Sequence, residues 1–136
     1  MPIPTEQAPT DLLPIEVVYH FVADAPLPRR WVVRSEAELR EAWSLVPREI
    51  GPPVVDFERE MLVCVAQGIC GGSWPQLSFD GYRVEGGGVR VVVRVTGPPL
   101  GYWSDNAGTF QALLVGRLPR HEGEVEFVDR FVRAER

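Results

Sequence analysis

One stretch offers covalent chemistry by residue type and spacing: Cys70-Gly71-Gly72-Ser73, the C-x-x-S form of monothiol redox proteins. A cysteine nucleophile acts as its thiolate, and a helix N-terminus lowers the thiol pKa enough to supply one. An apolar strand precedes Cys70, as such a site requires. Trp74-Pro75 and the alternating segment after it do not read as a helix. Cys70 therefore stands as a candidate reactive thiol against a plainer reading, a glycine turn between strands. The same turn lacks the GxxxxGK[ST] spacing and any lysine, so it is no phosphate cradle.

The remaining titratable residues form no recognisable constellation. His20 falls in a strand and His121 in a polar turn, and only the fold can pair either with a serine or cysteine. Asp56 and Glu58, two apart, would share a face of an extended segment, but no third partner accompanies them. Asp56 is expected to accept backbone hydrogen bonds in a turn. No Asp/Glu/His cluster points to a metal, and no cofactor is expected. Cys64, inside an apolar run, is expected to be a buried, inert thiol.

Aromatic residues offer binding rather than catalysis. Trp74, Tyr82, Tyr102 and Trp103 are expected in turns or loops around a sheet, where Trp and Tyr are favoured interface anchors. An exposed strand edge is a second expected docking feature, able to accept a partner strand.

Periodicity supplies the elements that must position these residues. Residues 1–14 are Pro-rich and polar and read as a flexible lead-in; residues 15–136 read as a single domain. Ile15, Val17, Tyr19 and Phe21 alternate on one face of a first strand, and Arg30 to Val33 is a short second one. Ser35 with Glu38 forms a capping box, and Leu39, Ala42, Trp43 and Val46 make one apolar helical stripe, which predicts a helix over about 35–46 ending before Pro47. Met61 to Ala66 is apolar on both faces, so it is expected at the centre of a sheet covered on both sides.

A glycine turn is expected over Gly68 to Gly72. Leu77 and Phe79, then Tyr82 and Val84, alternate with a parity change at Asp80-Gly81 that implies a bulge or a tight turn, the bulge being favoured. Gly86-Gly87-Gly88 is a hairpin turn into the valine strand Val89 to Thr96. Leu100 to Thr109 reads as a loop and Phe110 to Val115 as a buried strand. Glu124 to Val132 closes the sheet, although Asp129 breaks its alternation. The result is a mainly β (α+β) domain of about seven strands, mostly antiparallel, curled into a sandwich or open barrel with one helix packed on the sheet.

Composition excludes several classes. Net charge is −5, which repels an extended polyanion, so nucleic acid is not an expected partner. All 14 basic residues are Arg, spread from Arg29 to Arg136 rather than clustered. No stretch approaches the ~18 apolar residues of a membrane span, and no signal sequence opens the chain. Membrane insertion is not expected, and a cytoplasmic location is, with export of a longer precursor left open.

The helix followed by Trp43, Val55-Asp56-Phe57 leading into Met61-Leu62-Val63, Gly68 with Gly71-Gly72 after it, and the valine strand ending at Pro98 together resemble the PrcB family, the C-terminal domain of that protease-complex subunit. The resemblance spans Ser35 to Phe127 and rests on spacing and turn residues. It implies a non-catalytic accessory or assembly subunit, often an exported lipoprotein attached to a bacterial serine protease, with no catalytic residues to carry over. The chain departs from the family in lacking a lipoprotein signal and in reading Ser73-Trp74-Pro75 where the family continues directly into an alternating strand.

Three readings follow. The first is a small β-rich interaction module without catalysis, its partner a protein such as a protease, or a second copy in a homodimer. The second is a thiol-dependent enzyme using Cys70. The third is a small-ligand binder in the mouth of a sandwich or barrel.

Overall fold

The computed structural model describes residues 11–71, 76–97 and 109–133, with the backbone alone at 69–71 and 109–110. Among the described residues, seven strands and one helix follow in the order β1 (Glu16–Val22), β2 (Arg29–Val33), α1 (Glu36–Trp43), β3 (Glu60–Gly71), β4 (Gln76–Glu85), β5 (Gly88–Gly97), β6 (Thr109–Pro119) and β7 (Val125–Arg133). They form two sheets, β1-β6-β3-β2 and β4-β5-β7, which share no strand. The fold is a sandwich, not a barrel, and α1 covers the outer face of the larger sheet.

Side-chain alternation on β3 produces these three layers. Leu62, Cys64 and Ala66 face α1 and pack with Leu39, Ala42 and Val46. Met61, Val63 and Val65 face the smaller sheet and pack with Val89, Val91, Val93 and Val95 of β5. Met61 to Ala66 are at most 1% exposed, as a strand apolar on both faces must be. Each fully buried aliphatic side chain contributes about 1.5–3 kcal/mol. On the other face of β5, Arg90 and Arg94 ion-pair with Glu126 and Asp80.

The helix begins as its capping box predicts. Ser35 Oγ accepts from the Glu38 N–H at 3.2 Å, but Glu38 returns its carboxylate to the Arg34 N–H at 2.7 Å, one residue before the cap. Helical geometry stops at Trp43, short of the expected 46. Bonds from the Leu45 N–H to the Ala42 carbonyl and from the Val46 N–H to the Trp43 carbonyl carry the chain on as a tighter turn.

Two expectations need correction. Ile15, Val17, Tyr19 and Phe21 do not share a face, because a bulge between Val17 and Tyr19 inverts the alternation. Ile15 joins the core between the sheets, whereas Tyr19 joins the core under α1 and stacks edge-on against Trp43 at 5.4 Å. Residues Gly68 to Gly71 are not a turn. β3 bulges between Ala66 and Ile69, with Gly68 at φ 90°, and continues to pair Ile69, Cys70 and Gly71 with Gln111, Phe110 and Thr109. A Cβ at Gly68 would also lie 2.9 Å from Pro28 Cδ, so the position needs glycine on two counts.

β7 runs parallel to β5, the one parallel pairing among the described strands of a mostly antiparallel fold. The reason is that β6 joins the other sheet, so the chain returns alongside β5 in the same direction. Asp129 breaks the alternation of β7 as expected, with Arg130 after it buried and Phe131 exposed. It meets the Arg30 guanidinium of β2 at 3.0 Å and joins the two sheets along one side of the sandwich. The bulge between Phe79 and Gly81 is present as expected, and Gly86-Gly87, at φ 61° and 79°, make the two-residue hairpin turn.

Candidate functional site

Several residues singled out by type lie outside the described residues: Ser73, Trp74, Tyr102 and Trp103, with the loop that carries the last two. The backbone of Cys70 is in β3, opposite Phe110 of β6, so it stands in a strand rather than at the helix N-terminus a redox thiol would use. Tyr82 is not a loop aromatic. The bulge in β4 turns it onto the inner face, where it is 5% exposed and packs in the core between the sheets. Its backbone exchanges two hydrogen bonds with Leu13, at 2.8 and 2.9 Å, which ties residues 11–13 to the outer edge of β4.

The other titratable candidates are structural. Asp56 accepts from the Glu58 N–H at 3.1 Å in the turn before β3, as expected. Cys64 is fully buried, and burial pushes its thiol up to about 12. His121 lies 6.0 Å from the Tyr82 ring, and its carbonyl accepts from Arg34. His20 sits on β1, with its pKa lowered by burial. Among the described residues no group of three His, Cys, Asp or Glu side chains could hold a metal ion, and no helix is long and apolar enough to cross a membrane.

Strand edges are where this sandwich differs from place to place. Each sheet ends in two edge strands, and an edge exposes a row of backbone donors and acceptors unless something covers it. β4 is tied to Leu13. β7 carries Glu126, Asp129, Arg130 and Arg133 along its length. β2 carries Arg29, whose guanidinium lies 4.2 Å from the Trp31 ring, and Arg30, held by Asp129 and by the Ala66 carbonyl. Among the described edge strands β1 is the one with an uncharged run, Val17 to Val22, and three of its apolar side chains are exposed: Val17 at 50%, Phe21 at 59% and Val22 at 39%.

Hydrogen bonding at the end of β1 shows which of its groups face outward. The Ala23 N–H donates to the Gln111 carbonyl of β6 at 3.2 Å. Alternation in an antiparallel ladder then aims Tyr19 and Phe21 at β6, and His20 and Val22 away from it. One outward group is engaged: the Val22 carbonyl accepts from the Tyr19 hydroxyl at 2.6 Å. The edge closes at Asp24, whose N–H donates to the Leu45 carbonyl after α1 at 2.7 Å. A shallow groove of about 520 Å³ continues from Val22 and Asp24 past Leu45, Pro47 and Arg48.

What this arrangement can do is pair with an extended backbone. Peptide groups of His20 and Val22 supply the hydrogen bonds, and Val17, Phe21 and Val22 supply the apolar contact. Sequence reasoning anticipated an exposed edge without saying which strand has it. The available signal was the uncharged run from Val17 to Val22. No known family model, curated protein or solved structure matches this chain.

Proposed function

We propose that this chain is a non-catalytic interaction or assembly module that docks an extended segment of another protein chain along the outer edge of β1. The observation that carries this reading is the β1 edge itself, the only one among the described strands that combines exposed apolar side chains with no charge from Val17 to Val22. Strand addition gains affinity from main-chain hydrogen bonds and specificity from alternate side chains, and it needs no catalytic group. An accessory subunit of a protease assembly, which the resemblance to the PrcB C-terminal domain implies, would use such a surface.

The test is affinity capture from an extract of the source cells, with the tagged chain and its Phe21→Arg variant in parallel. The expected result is a stoichiometric protein captured by the first and lost from the second. A serine protease or its subunit among the lost proteins supports the accessory role. Identical capture by both chains removes β1 as the docking edge.

A further inference from the structure

The geometry points to the occupant of the β1 edge: a second copy of this chain, added antiparallel about a two-fold axis through Phe21. This rests on the reading of β1 as a docking edge and specifies its partner. Outward-facing residues pair with outward-facing residues in an antiparallel ladder. A strand paired with itself must place its axis on one residue, and three centres bring outward groups together here.

Centring on His20 sends Val22 against Val18, which lies in the bulge between Val17 and Tyr19. Centring on Val22 sends His20 against Asp24, whose N–H is already committed to the Leu45 carbonyl. Centring on Phe21 pairs His20 of each copy with Val22 of the other and leaves the two obstructed positions, Val18 and Asp24, opposite each other at the ends of the ladder. The Val22 carbonyl keeps its bond from Tyr19, because a carbonyl oxygen has a second lone pair.

In that register Phe21 opposes Phe21 at a non-hydrogen-bonded position, with Cα atoms about 4.5 Å apart. Cross-strand aromatic pairs at such positions stabilise a sheet. Both rings lie on the face that carries α1, and His20 meets Val22 on the other face. Charge permits the contact. The chain's net charge of −5 repels a copy at long range, but salt screens that beyond about 8–10 Å, and the pairing strand is uncharged between Val17 and Val22. The antiparallel sense also sets the end with Asp24 and Arg48 against the end of the second copy where Arg117 holds Glu16, an acid and a base on each side. The two four-stranded sheets become one continuous sheet with both helices on the same face.

Light scattering coupled to gel filtration tests this, with oxidative cross-linking beside it. The expected mass is twice the 15.2 kDa of one chain. Phe21→Arg halves it and leaves the far-ultraviolet circular dichroism spectrum of the chain in place, because Phe21 is 59% exposed within one copy. Phe21→Cys forms a disulfide-linked dimer under mild oxidation, whereas His20→Cys, whose copies would lie diagonally more than 7 Å apart, does not. A single-chain mass at about 0.1 mM, a dimer that survives Phe21→Arg, or cross-linking through His20→Cys alone overturns the proposal. A monomer whose Phe21→Arg variant still loses a captured protein overturns the second copy and leaves the docking edge standing. A monomer that loses nothing overturns both.

Discussion

β1 and β2 bound the same four-stranded sheet, and their outer edges are protected in different ways. β2 is short, carries Arg29 and Arg30, and is tied to the opposite sheet by the Arg30–Asp129 pair. Nearby, Arg34 reaches across to the His121 and Gly123 carbonyls, and Arg120 returns to the Arg34 carbonyl. Guanidinium groups thus close one side of the sandwich. On β1, among the described residues, the one such device is the Tyr19 hydroxyl on the Val22 carbonyl. The contrast teaches that edge protection in this fold is local and unequal, and that the less protected edge is also the less charged one.

Four changes break or sharpen this contrast. Leu113→Ala, in the strand between β1 and β3, removes a fully buried side chain and should cost about 2–5 kcal/mol by chemical denaturation. A loss below 1 kcal/mol would mean that the edges, not the centre, hold the sheet. Asp129→Ala leaves Arg30 half-buried with only its Ala66 and Gln67 partners, and should lower stability by about 1–3 kcal/mol. An unchanged denaturation midpoint would show that the guarded edge is not held by that pair.

Tyr19→Phe keeps the ring against Trp43 and deletes the bond to Val22. The expected stability loss is about 0.5–1.5 kcal/mol, with tighter association through the freed carbonyl. Weaker association would show that the hydroxyl positions the edge rather than shielding it.

The smallest effect concerns pH. Burial depresses the folded pKa of His20 below its ordinary 6.5, so the unfolded chain takes up this proton first. The His20 contribution to stability is therefore fully present above pH 6.5 and declines as pH falls below it toward the lower folded pKa. His20→Gln should flatten this part of the pH–stability curve, and an unchanged slope would assign it to other groups.

Much of this architecture is legible from residue order because its signals are local. The Ser35 cap, the helical stripe, the two-sided apolarity of Met61 to Ala66 and the valine alternation of β5 each depend on neighbours within a few positions. The bulge in β4 is legible because Gly81 marks it. The bulge in β1 falls between Val17 and Tyr19 with no glycine or proline beside it, so the alternation looked unbroken. Gly68 misled for the opposite reason: a glycine at positive φ serves a bulge as readily as a turn.

The candidate site was the least legible part. Whether a strand is an edge depends on sheet order, and β1 becomes one only because β6, more than eighty residues later in the chain, pairs on its inner side. Tyr82 reads as a surface residue because its type suits a binding loop, but its parity after the bulge puts it in the core. Asp129 looked like a fault in a strand until Arg30, from the opposite sheet, accounted for it.

The parallel pairing of β7 with β5 also fixes an order of assembly. β4 and β5 can close as a hairpin as soon as both have left the ribosome, but their sheet lacks its third strand until β6 has crossed to the other layer and β7 has returned. Until then nothing engages the far side of β5, and Asp80 waits for the Arg130 guanidinium that clasps it across the intervening strand. The nascent protein therefore carries an unfinished, valine-rich sheet from the completion of β5 at Gly97 until β7 follows, and β7 is the strand that completes it.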